Sequence, residues 1–335
     1  MTVNKIIRLH RGEDPLPIKD GLNPTRIRIP EEYDGQSAYE VLQEFIATQR
    51  SRHPQDDEAA LLKRFRDAEV VRVRGVEKTI LAPHDTLHAG NDLWFYRIPP
   101  EEKPIPFSCE IIHSDDDLLV INKPPFMATM PRAKHIVQTA TVQMRRLTGN
   151  NELTPAHRLD RMTSGVLLFT KRKEIRGAYQ KIFSDRKVSK VYHAIAPYRP
   201  DIIPGNRWHN RIEKTPGIMQ ARIVDGTPNA TTIVNDVQIL NSDLQASLKQ
   251  KYGHDHEELA LYELHPITGK THQLRLHMHA AGAPLLGDDT YPRILTIAES
   301  EDHNKRLCLH SHSISFHDPF TQHPHHFIST PQWIM

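Results

Sequence analysis

The stretch from Pro155 to Lys171, PAHRLDRMTSGVLLFTK, constrains this chain more than any other. One carboxylate, Asp160, stands among His157, Arg158 and Arg161. The small polar turn Thr163-Ser164-Gly165 follows, and then an apolar run, Val166 to Phe169, that ends at Lys171. Punctuation of this kind before a short apolar run predicts a turn at the mouth of a strand. A carboxylate held there and ringed by cations stays ionised, as a nucleophile or general base must be. The bland alternative is an ion-paired surface loop, which would be the better reading of a lone Asp-Arg pair.

A chain of 335 residues is long for one domain and suggests a catalytic domain with a smaller appendage. With 38% hydrophobic and 25% charged residues it has an ordinary globular composition. Two cysteines far apart, Cys109 and Cys308, imply neither a disulfide framework nor a Cys-based metal site, and fit a reducing compartment. The N-terminal residues lack a secretory pattern, and no apolar run approaches the ~20 residues that span a bilayer. A cytoplasmic protein without membrane attachment is expected. Net charge is only +2, yet residues 157–199 hold 11 Lys and Arg against 3 Asp and Glu. That is an electrostatic footprint for a polyanion such as RNA, with a solvated basic helix face as the plain alternative.

Taken in order, residues 1–30 read as an irregular arm. Ser37 to Glu40 is a capping box that opens a helix to about Arg50, with Ala38, Val41, Leu42, Phe45 and Ile46 at helical spacing. A second helix is predicted over about 58–68, then strands near 71–74, 79–81 and 93–96. This small α+β domain, 31–98, loosely resembles the RNA-binding module shared by ribosomal proteins and several RNA-modifying enzymes; an appendage with no RNA role fits as well. Four prolines in 99–106 mark a linker. From 107 to 335 a catalytic domain is expected, with strands near 118–121, 190–196, 220–224, 231–240 and 260–264. Helices are predicted near 141–147, 173–185 and 271–281, the last opened by Thr271 and stopped by Gly282. The segment from about Leu307 returns to the sheet.

Four ordered segments of this domain together resemble the RluA family of RNA pseudouridine synthases. They are Leu119-Val120-Ile121-Asn122-Lys123-Pro124; His157-Arg158-Leu159-Asp160 with Thr163-Ser164-Gly165; Lys190-Val191-Tyr192; and Thr268-Gly269-Lys270-Thr271-His272-Gln273-Leu274-Arg275-Leu276-His277, followed by Leu286-Gly287-Asp288 and Tyr291. The resemblance covers residues 107 to the C-terminus. It implies an α+β pseudouridine synthase fold around a central, mostly antiparallel mixed sheet. It also implies a cofactor-free isomerisation of uridines in rRNA or tRNA. Asp160 matches the catalytic aspartate, which either attacks C1′ or removes a proton at C2′. Arg275 matches the arginine that pairs with it, bidentately in this expectation. Tyr192 matches the tyrosine that stacks on the target base, and Arg158 a residue that enters the RNA where that base is flipped out. His157, Arg161, Lys123, Lys171, Lys190, Lys270 and His272 are the further candidate RNA contacts, with the basic segment 157–199 tracking the phosphate backbone. Three departures stand out. Phe126 to Met130 replaces a loop that usually carries Gly and His, Lys270 stands where Arg is common, and Met162 where Lys or a small or acidic residue is often seen.

Two rival readings remain. The 22 histidines, His310 with His312 and His323 with His325 and His326 above all, invite a metal site, although acidic partners are sparse there; no metal ligand is expected. A non-catalytic RNA-binding protein on a decayed synthase fold would not need Asp160, Tyr192 and Arg275 together. Each of the three has a structural alternative when taken alone: a core tyrosine, a helix-surface salt bridge, an ion-paired loop. A monomer is expected.

Overall fold

The computed structural model describes residues 6–9, 13–49, 52–253, 258–331 and 333. The chain forms two compact units, residues 1–103 with 131–138 and 145–151, and residues 104–130 with 139–144 and 152–335. The division between Lys103 and Pro104 falls inside the proline-rich linker. The second unit is not continuous as expected, because 131–138 and 145–151 group with the first. The reason is polar: Arg145 and Arg146 donate to the carbonyls of Gly21 and Asp20.

In the first unit a five-stranded antiparallel sheet packs with two helices. The strands are β1 (Ile6–Arg8), β2 (Thr25–Arg28), β3 (Val71–Arg74), β4 (Glu77–Ile80) and β5 (Asp92–Phe95), in the order β1-β4-β3-β5-β2. The arm over 1–30 is therefore not irregular: it supplies both edge strands, whose apolar alternation is short and masked by neighbouring charges and prolines. Helices α1 (Ala38–Ala47) and α2 (Glu58–Arg66) form where expected. The capping box is present, with Glu40 N–H donating to Ser37 Oγ and Ser37 N–H to Glu40 Oε2. Val41, Leu42, Ile46, Leu61 and Phe65 meet Leu93 and Phe95 in one core.

The second unit is built on an eleven-stranded sheet. Its strands are β6 (Glu110–Ser114), β7 (Leu118–Lys123), β8 (Thr154–Pro155), β9 (Ser164–Thr170), β10 (Ser189–Pro197), β11 (Arg207–Glu213), β12 (Arg222–Val224), β13 (Ala230–Ile239), β14 (Leu259–Pro266), β15 (Leu309–His317) and β16 (Pro324–Ile328). The order is β12-β11-β13-β14-β10-β15-β9-β7-β6, with β16 on β15 and β8 on β9. Every pairing is antiparallel except β9 with β15. Helices α3 (Ala140–Thr148), α4 (Arg176–Ser184), α5 (Ser242–Tyr252), α6 (Gln273–Ala280) and α7 (Ile297–Ser300) complete the chain. Among the described residues no helix is long and apolar enough to cross a membrane.

The parallel seam explains Gly165. It pairs with Ser311 at φ +109°, and a Cβ there would lie 2.3 Å from the Ser311 carbonyl oxygen. Backbone cannot yield as a flexible side chain can, so only glycine fits. Gly165→Ala is expected to destabilise the second unit by roughly 3 kcal/mol or more. Thermal unfolding would show it as a drop of several degrees or as failure to fold; an unchanged melting temperature would refute the close approach.

Candidate active site

Asp160 sits in the turn that leads into β9, and its carbonyl accepts the Thr163 N–H at 3.2 Å. Both neighbours are pinned. Thr129 Oγ1 donates to the Leu159 carbonyl at 2.7 Å and accepts the Leu159 N–H at 3.1 Å. Behind the turn, Lys123 donates to the carbonyls of Pro124 and Met127 at 2.8 Å each, and of Arg161 at 3.4 Å. Lys123 is 0% exposed. It therefore holds this turn from inside and, being buried, is not the RNA contact its charge suggested. Burial pushes its pKa down to about 7, with the Cys109 thiol and Asp160 acting in the opposite sense.

A cavity of about 100 Å3 opens beside this turn. Arg158, Asp160 and Thr163 line it from the turn, Lys190 and Tyr192 from β10, and Lys270, His272 and Arg275 from the loop and helix after β14. Three side chains from distant segments thus share one cavity, as the sequence predicts. Tyr192 faces Leu264 and Ser311 across its two neighbouring strands, next to a bulge at Val191. Burial raises its phenol to about 12, and the Asp160 charge adds to this, so it carries its proton at neutral pH.

Arg275 departs from expectation. Its bidentate partner is Asp288, not Asp160: Nε donates to Asp288 Oδ2 at 2.8 Å and Nη2 to Oδ1 at 2.5 Å. Nη2 also donates to Asp289 at 2.7 Å. Burial works against the charge of this guanidinium, but Asp288 and Asp289 outweigh it and its pKa is raised; Asp160 acts on it as a further charge through space. The reason is local, since the turn after Leu286-Gly287 brings two consecutive carboxylates under α6. Helix α6 itself starts later than predicted. Thr271 does not cap it; His272 precedes it at φ 58°, without a side-chain cap.

The remaining cations divide. Arg158 and Lys270 are exposed and line the cavity. Lys190 lines it too, donating to the Thr268 carbonyl at 3.3 Å, and burial lowers its pKa to about 8. His272 shares a 3.3 Å hydrogen bond with the Tyr291 hydroxyl, and burial, then Arg275, lower its pKa. Arg161 is turned to Asp289 at 3.6 Å and lies over the Phe126 ring. His157 is structural: its Nε2 accepts the Leu168 N–H at 3.2 Å and its ring stacks on Phe183. Lys171 lies at the far end of β9 and donates to Ser114 Oγ at 2.7 Å. Arg172 pairs with Asp117 and Lys181 with Asp185. The basic segment is thus no continuous stripe: several of its cations serve neighbouring acids.

The altered loop 126–130 is mostly packed rather than open. Phe126 stands at φ 66° with its ring 4.8 Å from that of His303, and Met127 is fully buried. Four of the five histidines weighed as metal ligands have other contacts. His310 lies between Ser164 Oγ and Ser329, His312 bonds the Ser329 carbonyl, His326 bonds Ser315, and His325 stacks on Phe327. Sequence reading missed Thr129, Asp288 and Asp289 as site residues. Only the Leu-Gly-Asp segment carried a signal for them.

A family model described as RNA pseudouridylate synthase matches residues 117–280. The dual-specificity RNA pseudouridine synthase RluA of Pasteurella multocida is 30% identical over 228 residues, covering 64% of this chain and 89% of that protein. The ribosomal large subunit pseudouridine synthase C of Rickettsia conorii is 31% identical over 204 residues, 61% of this chain and 62% of that protein. Among solved structures, human RNA pseudouridylate synthase domain containing 4 aligns at 25% identity and a TM-score of 0.47, over 67% of this chain and 89% of that one. The order of motifs along the chain and the similarity over most of a curated relative agree: this chain belongs to the RluA family of RNA pseudouridine synthases, which isomerise uridine in RNA to pseudouridine.

Proposed function

We propose that this chain modifies particular uridines of ribosomal or transfer RNA, as a cytoplasmic monomer, with Asp160 as the reacting carboxylate. The observation that carries this is the sharing of one small cavity by Asp160, Tyr192 and Arg275, with Arg158 and Lys270 exposed at its edge. The reaction is balanced without an external redox partner. The C1′–N1 bond is exchanged for C1′–C5, C5 loses a proton, and N1 gains one. What it requires is a carboxylate beside the sugar, a surface for the base, and room for the base to turn outside its stack. Tyr192 offers an aromatic face and a protonated hydroxyl. Arg158 is free to enter the space a flipped uridine leaves, and Lys190 and Lys270 can meet flanking phosphates. The name of the Rickettsia relative favours a large-subunit ribosomal target.

Pseudouridine mapping in total RNA from cells with and without the gene tests this. Discrete positions are expected to lose the modification in the deletion strain and regain it with the wild-type gene but not with Asp160→Asn. No lost position in rRNA or tRNA would overturn the substrate assignment.

A further inference from the structure

A carboxylate is aimed only as well as the peptide groups beside it are fixed. Two consecutive peptide planes lead to the Cα of Asp160, and one side-chain oxygen holds both. Thr129 Oγ1 accepts the Leu159 N–H at 3.1 Å and donates to the Leu159 carbonyl at 2.7 Å. That carbonyl belongs to the Leu159–Asp160 peptide, so its direction sets the plane from which the Asp160 side chain springs. Solvent does not compete for these bonds, since Thr129 is 4% and Leu159 6% exposed. Thr129 is anchored in turn. Its carbonyl accepts the Thr141 N–H at 3.1 Å and the Thr141 hydroxyl at 2.7 Å, and the Ala128 carbonyl accepts the Ala140 N–H at 2.9 Å. These donors sit in the first turn of α3, where amides have no partner inside the helix. The buried Thr139 closes the same turn by accepting the Val142 N–H at 3.3 Å.

We propose that Thr129 is a positioning residue for the isomerisation: its single hydroxyl ties the two peptide planes before Asp160 to the start of α3 and so holds the carboxylate towards the ribose. The inference rests on Asp160 being the reacting carboxylate. The residue type matters. A hydroxyl donates and accepts through one atom, so it can serve the N–H and the carbonyl of one residue at once. Valine has nearly the same shape and neither capacity; in its place both Leu159 groups would be buried and unpaired. The restraints on the other side of Asp160 do not substitute for this one. The Thr163 N–H fixes the peptide after Asp160, and Lys123 the one after Arg161, but neither touches the peptide before it. A reacting group displaced by about 1 Å loses on the order of 100-fold in rate. Lys190 and Lys270 stand on other walls of the cavity and keep their places, so the loss falls on the rate rather than on the binding of RNA.

Thr129→Val, Thr129→Ser and Thr141→Val separate positioning from general support of the loop. Proton release at C5 is measured as tritium freed from total RNA of cells lacking the gene, labelled at uridine C5, with enzyme in excess. The single-turnover rate of Thr129→Val is expected to fall on the order of 100-fold, with the enzyme concentration for half-maximal rate changed by less than about threefold. Thr129→Ser keeps the donor and the acceptor and should stay within about threefold of the wild-type rate. Thr141→Val removes a hydrogen bond of the same loop but leaves the Thr141 N–H on the Thr129 carbonyl and both Leu159 bonds intact. Its rate should also stay within about threefold. Thr129→Cys, whose thiol is a weak donor and a weak acceptor, should lose about tenfold and carries the test if Thr129→Val does not fold. A full rate in Thr129→Val, or in Thr129→Cys where that variant decides, overturns the proposal. So does a loss in Thr141→Val equal to that in Thr129→Val, which would make support of the loop the cause. These results are read beside an inactive Asp160→Asn; pseudouridine formation by Asp160→Asn on the same RNA would instead overturn the reading of Asp160, and this inference with it.

Discussion

Asp160→Asn is expected to abolish tritium release from [5-3H]uridine-labelled RNA, a loss on the order of 10⁴-fold or more, while RNA affinity stays within about threefold. The size follows from the chemistry. Whether the carboxylate attacks C1′ or takes the C2′ proton, an amide oxygen is a far weaker nucleophile and base, and a 10⁴-fold loss corresponds to about 5.5 kcal/mol of barrier. The fold should survive, because the turn does not rest on the Asp160 carboxylate. Its own backbone carbonyl accepts the Thr163 N–H. Thr129 holds Leu159 on one side, and Lys123 holds the Arg161 carbonyl on the other. RNA affinity should survive too, since the exposed cations Arg158 and Lys270 are untouched. A variant that binds RNA and still forms pseudouridine would remove Asp160 from the mechanism. One that loses both functions together, with an unchanged melting temperature, would make it a binding residue.

What the sequence made legible follows a physical pattern. Strands β7, β10, β13 and β14 and helices α1, α2 and α4 were readable because their apolar positions recur at the period of the element. The union of Asp160, Tyr192 and Arg275 was readable through ordered motifs. The edges β1, β2, β6, β8 and β16 were not, since each is at most five residues long and lightly buried. Charged side chains deceived in a consistent way. Lys123, His157 and Lys171 look like a footprint for RNA in one dimension, yet each bonds a carbonyl, an amide or a hydroxyl of its own fold. Sign and residue type say that a cation exists; burial decides what it serves. Arg275 shows the same limit from the other side. A motif brings it to the cavity, but Asp288 and Asp289, adjacent in sequence and bare of pattern, decide which way it points.

Stability should fall steeply as pH drops from about 6.5 towards 4, because burial lowers the pKa of several histidines, three of them furthest. His157 and His310 are pushed down to about 3 and His277 to about 4, in each case by burial first. Burial is what disfavours a second proton, and the hydrogen bonds are consistent with neutral rings. His157 Nε2 must keep a lone pair for the Leu168 N–H. His310 Nε2 must donate to the Ser329 carbonyl, so Nδ1 is the acceptor of the Ser164 hydroxyl. His277 bonds Thr232 through Nδ1, and its buried Nε2 has no partner that a new N–H could use. With folded pKa values below the unfolded ~6.5, the neutral forms are favoured by folding. Their contribution is complete above the unfolded value and is lost as pH falls towards the folded ones. Each group then costs about 1.4 kcal/mol per pH unit, and three together about 4 kcal/mol per unit across that window. The depressed carboxylate of Asp289, with an ordinary value of 3.8, acts only at lower pH and does not blur it. Urea unfolding at pH 7.5, 6.5, 5.5 and 4.5 measures the slope, expected to correspond to at least about three protons taken up on unfolding, with His193, His265, His272 and His325, also lowered by burial, adding to it. His310→Gln should remove about one of them, since glutamine can accept from Ser164 and donate to Ser329 without titrating. A stability that is flat between pH 6.5 and 5 would mean that these rings are protonated in the folded chain, and the hydrogen-bond directions given for them would then be wrong.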